Sequence, residues 1–334
     1  VDLSSVLLVC AIAAGLSGGF AARYRRWGTA LADVTIGILV AGLFSVVALV
    51  VLSLAADLDR FGVVHFMYLL AVVGFPLASA WIVIPHLLDA EHRTPFIGWL
   101  LILSSVALVA VGLWATHVEP FRLQVDEQIL GVTGSTEPIV VGVISDLQTT
   151  AIGSHERAAL DAVLEGNPDL VVLPGDLFQL DPEDIRPALP EFVGWLRTLT
   201  SAVDHVVLVN GNTDDAEILE DIAEETGATY LDDELVEFTV RGQVINVLGL
   251  SVSTDRDRRD IDADLLEQLR TTTRRQDLVL AVSHYPDPVL SLTPGTTIDL
   301  ILSGHTHGGQ VALPRLGPLV TASDLPRVVA AGGL

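Results

Sequence analysis

The stretch Ile301-Leu302-Ser303-Gly304-His305-Thr306-His307-Gly308-Gly309-Gln310 decides how the chain folds. Ile298, Leu300, Ile301 and Leu302 read as a buried apolar strand that stops at a glycine. Two histidines at i and i+2 follow, then a Gly-Gly pair that lets the backbone turn tightly and leaves room for a ligand. Imidazoles are strong metal donors, and two so close together in a turn are costly to arrange for packing alone.

Four other apolar runs end in the same manner. Residues 139–145 lead into Asp146-Leu147-Gln148, and Leu170-Val171-Val172-Leu173-Pro174 leads into Gly175-Asp176. Val206-Val207-Leu208-Val209 leads into Asn210-Gly211-Asn212-Thr213-Asp214, and residues 278–283 lead into His284. Ligand-binding groups of α/β sheets gather at the carboxyl ends of strands. Taken singly, Asp146 and Asp176 could be turn formers or helix caps and Asn212 a turn residue. Five strands ending in Asp, Asp, Asn, His and His-x-His point instead to one shared site.

This order of motifs resembles the calcineurin-like metallophosphoesterase family, and the Gly304-His305-Thr306-His307-Gly308-Gly309-Gln310 tail resembles its membrane-associated branch. The resemblance covers about 138–334. It implies a layered α/β/β/α sandwich and two divalent metal ions; the oxygen-rich donor set that Gln148 leaves at one of them puts Mn²⁺ ahead of Fe or Zn²⁺. By resemblance, Asp146, Gln148, Asp176 and His307 hold one ion. Asp176, Asn212, His284 and His305 hold the other, so Asp176 bridges, and Asp176, Asn212 and Asp214 serve catalysis. Two ions sharing a carboxylate and a hydroxide clamp the attacking and leaving oxygens of a phosphoester.

Two positions depart from the family pattern. Gln148 stands where the family has the histidine of Asp-x-His, and Thr213 where it has the histidine of Gly-Asn-His-Asp. The first swaps an imidazole for a weaker neutral donor. The second removes a group able to assist the leaving oxygen, since a threonine hydroxyl does not titrate usefully near neutrality. His155, just after the first motif strand, is a candidate proton donor, although an exposed histidine at a helix start is the plainer reading. The expected activity is hydrolysis of a phosphoester through a metal-bridging hydroxide. The alternative is a noncatalytic metal- or phosphate-binding sensor that signals through the membrane helices.

Outward from the site, charge divides the chain. Of 334 residues, half are hydrophobic, yet the net charge is −24. Residues 1–116 hold six acids and five arginines; the other 36 acids and 13 arginines lie beyond. Every basic residue apart from histidine is arginine. An acidic, lysine-free surface fits a high-salt setting, where charge is screened within about 3 Å at 1 M salt. It also argues against nucleic acid as a partner. Cys10 is the sole cysteine, which excludes an intrachain disulfide framework and a thiolate metal site.

The apolar region contains four stretches, Leu3–Ala22, Val34–Ala56, Phe61–Ile84 and Phe96–Thr116, each long enough to cross about 30 Å of hydrocarbon. A four-helix multi-pass membrane region over 1–116 is expected. Arg23, Arg25, Arg26 and Arg93 flank the first and third loops, against Arg60 alone in the second. The positive-inside rule then places both termini and the acidic domain outside the cytoplasm. His65 and His86 are too few to suggest an ion pathway, so the helices read as an anchor. The anchor suggests a lipid-linked or membrane-proximal substrate.

Residues 117–137 read as a linker with a short strand over Phe121–Val125, and the catalytic domain as 138–334. The spacing predicts helices over Ser154–Gly166 with Ser154 as N-cap, Pro190–Leu199, Asp214–Thr226 stopped by Gly227, and about Asp262–Arg275. Leu235–Val240 and Gln243–Leu248, around Arg241-Gly242, predict a hairpin. The chain reads as a fragment that stops short of one or two further strands.

Overall fold

The computed structural model describes residues 3–24, 30–55, 60–88, 96–131, 137–179, 185–252, 259–293, 295–308, 312–313, 317–318 and 321–330. Gly309 and Gln310 of the motif lie outside them, as do Arg25, Arg26 and Arg93. The chain divides into two compact units, Val1–Arg122 and Leu123–Leu334.

The first unit is helical. α1 is Leu3–Tyr24, α2 is Ala30–Ala55, α3 is Arg60–Leu69, α4 is Phe75–Leu88 and α5 is Phe96–His117. Leu70–Gly74 joins α3 to α4 as a π-helical turn, so the expected third span is one helix with a widened middle. Among the described residues, three stretches are long and apolar enough to cross a membrane: Ser4–Ala21, Gly62–Ile84 and Gly98–Phe121. The apolar stretch described for α2, Ile36–Val51, is shorter. Small residues bring these helices together, as expected where packing rather than water expulsion drives association. A Cβ on Gly15 would overlap the Gly74 carbonyl oxygen, and one on Gly18 would lie 2.6 Å from the Gly37 carbonyl oxygen.

The expected strand at Phe121–Val125 is not formed. Glu119–Phe121 is a 3₁₀ turn, and residues 122–131 are exposed and in no sheet. An apolar-polar pattern without a neighbouring strand leaves the backbone to water instead of a ladder.

The second unit is built on two sheets. β1 (Val141–Val143), β2 (Leu170–Leu173), β3 (Val206–Leu208) and β4 (Thr229–Tyr230) are all parallel. β5 (Glu234–Val240) and β6 (Gln243–Leu250) form the expected antiparallel hairpin, and β7 (Leu278–Ser283) and β8 (Leu300–Ser303) continue that sheet in parallel. Ala312–Leu313 and Gly317–Pro318 pair as a two-stranded ribbon, β9 and β10.

Alternation along the strands shows how the layers stack. In β2, Leu170 and Val172 join Val207, Ile245, Val247, Leu280 and Val282 in one core between the sheets. Val171 and Leu173 face the other way, into a core with helices α6 (Ser154–Glu165), α7 (Leu189–Ala202) and α8 (Ala216–Thr226). Leu248, Val279 and Ala281 pack outward against Leu269 of α9 (Ala263–Thr272). This is the expected α/β/β/α sandwich, and burial on both faces is why the central strands read as unbroken apolar runs.

Helix ends depart from the expected bounds by up to three residues: α7 runs on to Ala202 rather than stopping at Leu199, α8 begins at Ala216 rather than Asp214, and α9 ends at Thr272 rather than Arg275. The N-cap of α6 is Gly153, not Ser154, and its backbone N–H donates to Glu156 Oε2 at 2.8 Å. α8 starts from Asp215, whose side chain accepts from the Ile218 N–H, and stops at Gly227 with φ 79°. A left-handed terminus of that kind favours glycine.

Candidate metal centre

The sandwich delivers five strand ends to one place. Past β1 and β2 the chains stay side by side: Asp146 N–H donates to the Gly175 carbonyl at 3.1 Å and Gln148 N–H to the Asp176 carbonyl at 2.9 Å. Gly304 N–H, just past β8, donates to the His284 carbonyl past β7 at 3.1 Å.

Five of the candidate residues adopt left-handed backbone: Asp146 (φ 53°), Gln148 (φ 37°), Asp176 (φ 54°), His305 (φ 69°) and His307 (φ 48°). Sparsely populated backbone conformations cost roughly 1–3 kcal/mol each and gather where a site over-determines them. Glycines supply the clearance. A Cβ on Gly211 would overlap Asp176 Oδ1, and a Cβ on Gly304 would overlap the Ser145 hydroxyl and crowd Asp146 Oδ2.

Two groups of donors result. Asp146, Asp176 and His307 each offer a ligand atom within 4.8 Å of the others, and His307 Nε2 lies 3.6 Å from Asp146 Oδ1. Both Asp146 oxygens also accept from the His305 backbone N–H, at 3.0 and 3.1 Å. In the second group, Asn212 Oδ1 lies 3.1 Å from His284 Nε2 and 3.0 Å from His305 Nδ1, and the two ring nitrogens are 3.2 Å apart. Asp176 Oδ2 is 3.4 Å from His284 Nε2. Asp176 therefore belongs to both groups.

Backbone carbonyls decide which ring nitrogens face inward. His284 Nδ1 donates to the Pro174 carbonyl at 2.9 Å, which leaves Nε2 with the lone pair whenever the ring is neutral. His305 Nε2 donates to the Ala322 carbonyl at 3.2 Å, which leaves Nδ1 with the lone pair. Such outer partners commonly orient metal-ligating imidazoles. Two nitrogen lone pairs, an amide oxygen and a carboxylate oxygen, each within 3.4 Å of a neighbour, repel one another unless a cation or proton lies among them. The donor set fits a divalent ion in both groups.

The electrostatics agree. Burial pushes the Asp176 carboxyl up, but His284, the Thr213 N–H and Gln148 outweigh it and hold it at about 2. Burial pulls the His284 imidazole down, yet the bond and charge of Asp176 raise it above its ordinary value. Burial pushes Asp214 up to about 6 against the Gly211 and Phe178 N–H groups, with help from the Asp176 charge.

The remaining candidates are placed as follows. Gln148 meets the cluster through its amide nitrogen, which donates to Asp176 Oδ2 at 2.6 Å. Thr213 donates its backbone N–H to Asp176 Oδ1 at 2.9 Å and its hydroxyl to the Phe178 carbonyl at 2.7 Å. Asp214 accepts from the N–H groups of Leu177, Phe178 and Gly211, so its carboxylate ties the β2 and β3 loops together beneath the donors. His155 is half-buried in the first turn of α6.

Three contributors escaped sequence reasoning. The carbonyls of Pro174 and Ala322 carry no side-chain signal, and Ala322 (φ 51°) is brought in by the C-terminal segment. Tyr285 packs edge-on to His305, ring centroids 4.5 Å apart. Its place directly after His284 was the only available hint.

The fold and donor set define a layered α/β domain carrying a possible divalent-metal site at its strand ends. The family model of calcineurin-like phosphoesterases matches residues 139–309, and the chain belongs to that family. Among relatives in Bacillus subtilis (strain 168), it is 28% identical to the uncharacterized protein YpbG over 54% of this chain and 66% of that one. It is 27% identical to the uncharacterized metallophosphoesterase YkoQ over 57% and 69%, and 28% identical to YkuE, similarly described, over 66% and 77%. The chain thus spans about two thirds of the first two relatives. The NAD nucleotidase NadN of Haemophilus influenzae overlays with a TM-score of 0.37 at 14% identity, over 51% of this chain and 43% of that one. That likeness is too distant to speak to substrate.

Proposed function

We propose that the protein is a membrane-anchored phosphoesterase whose site takes two divalent ions, Mn²⁺ in preference to Fe or Zn²⁺. The observation that carries this reading is the convergence of His284 Nε2, His305 Nδ1 and Asn212 Oδ1, 3.0–3.2 Å apart, beside the shared Asp176 carboxylate. When bound, such ions neutralise phosphoryl oxygens and activate water for in-line attack.

The chain's own residues do the rest. Asp176 contributes the charge common to both positions, and the Pro174 and Ala322 carbonyls hold the imidazoles lone-pair inward. Asp214 positions Asp176 and Asn212 by bonding the loops that carry them. Gln148 joins as a ligand by turning its amide so that Oε1, instead of Nε2, faces the ion. The Thr213 hydroxyl, engaged by the Phe178 carbonyl, gives no proton to the leaving oxygen, which takes it from solvent.

Four apolar helices, the three long ones and α2, anchor the domain, with the acidic unit outside the cytoplasm. The anchor favours a lipid-linked or membrane-proximal phosphoester. The second reading, a noncatalytic sensor of metal or phosphate, draws its support from the engaged Thr213 hydroxyl. Hydrolysis of an aryl phosphodiester by the Mn²⁺-loaded chain separates the two. Turnover lost in His305→Ala supports the enzyme; tight Mn²⁺ binding without turnover on mono-, di- and pyrophosphate esters supports the sensor.

A further inference from the structure

The neutral imidazole of His305 carries one proton and has acceptors on both sides. Its Nε2 lies 3.2 Å from the Ala322 carbonyl oxygen; its Nδ1 lies 3.0 Å from Asn212 Oδ1 and 3.2 Å from His284 Nε2. A proton on Nε2 leaves the Nδ1 lone pair for a metal ion, whereas a proton on Nδ1 removes that donor. The tautomer therefore depends on where the Ala322 carbonyl is held.

No regular element carries Ala322. Residues 321–325 form no helix or strand, and Ala322 has a left-handed backbone (φ 51°) that a non-glycine residue keeps only where its surroundings enforce it. Thr321 and Leu325 are buried. Burial is non-directional: it sets where the segment lies, not which way its carbonyl points. Direction comes from hydrogen bonds.

Two contacts reach the segment through Asp324. Arg259 Nη2 lies 2.6 Å from Asp324 Oδ2, but both side chains are exposed, and such pairs contribute little. The other contact is buried. Asp287, 1% exposed, accepts the Asp324 backbone N–H on Oδ1 at 2.8 Å. A bond shielded from water is the stronger of the two. It carries a cost, because Asp287 Oδ2 is buried with no hydrogen-bond partner. Asp287 opens the 3₁₀ turn Asp287–Ser291, directly after His284-Tyr285-Pro286. The loop that carries one imidazole thus fixes the segment that orients the other.

We propose that Asp287 is a positioning residue for the metal centre: its carboxylate holds segment 321–325 so that the Ala322 carbonyl keeps the His305 proton on Nε2 and leaves Nδ1 to the ion. The consequence for metal rests on the two-ion reading above; the tautomer of the metal-free protein does not.

The test records ¹⁵N spectra of the histidine-labelled full chain in lipid vesicles, stripped with EDTA and kept mildly alkaline so that the rings are neutral. Signals are assigned by their loss in His305→Gln and His284→Gln. Wild type should show His305 with its proton on Nε2 and His284 with its proton on Nδ1. Asp287→Ala should move the His305 proton to Nδ1, while His284, held by the Pro174 carbonyl, keeps its tautomer. Asp287→Asn retains an acceptor oxygen and should restore the wild-type form. Arg259→Ala, which removes the exposed pair, should change nothing. In Mn²⁺ titrations Asp287→Ala should weaken one of the two ions about tenfold and spare the other, the size expected of a group that orients a ligand. Should Asp287→Ala fail to fold, Asp324→Pro removes the donating N–H at an exposed position and should give the same shift. An unmoved His305 tautomer overturns the proposal. So does a shift that takes His284 with it, that Arg259→Ala reproduces, that Asp287→Asn does not restore, or that leaves both Mn²⁺ affinities unchanged. A wild-type chain that takes up no Mn²⁺ overturns the metal reading alone, since the tautomers are read without metal.

Discussion

Replacing Asp176 by asparagine keeps the shape of the side chain and removes the charge on which both donor groups depend. In the metal-free protein this carboxylate is held at about 2, against an ordinary 3.8. It is 1% exposed, so solvent does little to screen it. The lowered value corresponds to about 2 kcal/mol of stability, counted once for the Asp176–His284 pair. The folded value lies below the unfolded one, so this stability is lost as pH falls from about 4 through 2, and because it needs a protonated His284 it is lost again as pH rises through that imidazole's raised value. Asparagine imitates the protonated form. Asp176→Asn should therefore unfold about 2 kcal/mol more easily in urea with EDTA at pH 5, where His284 is protonated and Asp176 ionised, and the gap should close in strong acid. With Mn²⁺ present, elemental analysis should find most of the metal gone, since each ion loses its shared anionic ligand. Full metal occupancy in the variant would refute the assignment of Asp176 as the bridge, and equal stability in EDTA would refute its electrostatic account.

Gly211→Ala places a methyl on Asp176 Oδ1 and should cost about 1–3 kcal/mol in thermal unfolding while weakening Mn²⁺ binding in a titration. Gln148→His should tighten metal binding and move preference from Mn²⁺ toward Zn²⁺ or Fe; an unchanged preference in a competition assay would mean that Gln148 stays bonded to Asp176 through its amide nitrogen. Protease added to intact cells should release the acidic unit, and protection until lysis would reverse the proposed sidedness. Acidic self-repulsion should make the unfolding midpoint rise steeply between low and molar salt, whereas a flat response would remove the high-salt reading.

Much of this protein was legible before any coordinates. Apolar runs such as Leu170–Leu173 announce strands covered on both faces, and the polar residues at their ends mark the side on which the donors meet. Arg241-Gly242 announces the hairpin, and Gly227 the end of α8. These signals are local: hydrophobic period and turn chemistry act within a few residues, so they survive in a string of letters.

What tertiary structure alone decided depends on atoms distant in sequence. His305 is oriented by the carbonyl of Ala322 and His284 by that of Pro174, and a backbone carbonyl is the same whatever residue bears it. Asp214, expected among the catalytic residues, has its carboxylate occupied by N–H groups of Leu177 and Phe178, more than thirty positions earlier. The strand expected at Phe121–Val125 had a suitable local pattern and no neighbour to pair with. Periodicity says which face of a segment is apolar. Which partner that face or carboxylate meets is settled only when the layers close, because hydrogen bonds and packing are pairwise and the second member of each pair lies elsewhere in the chain.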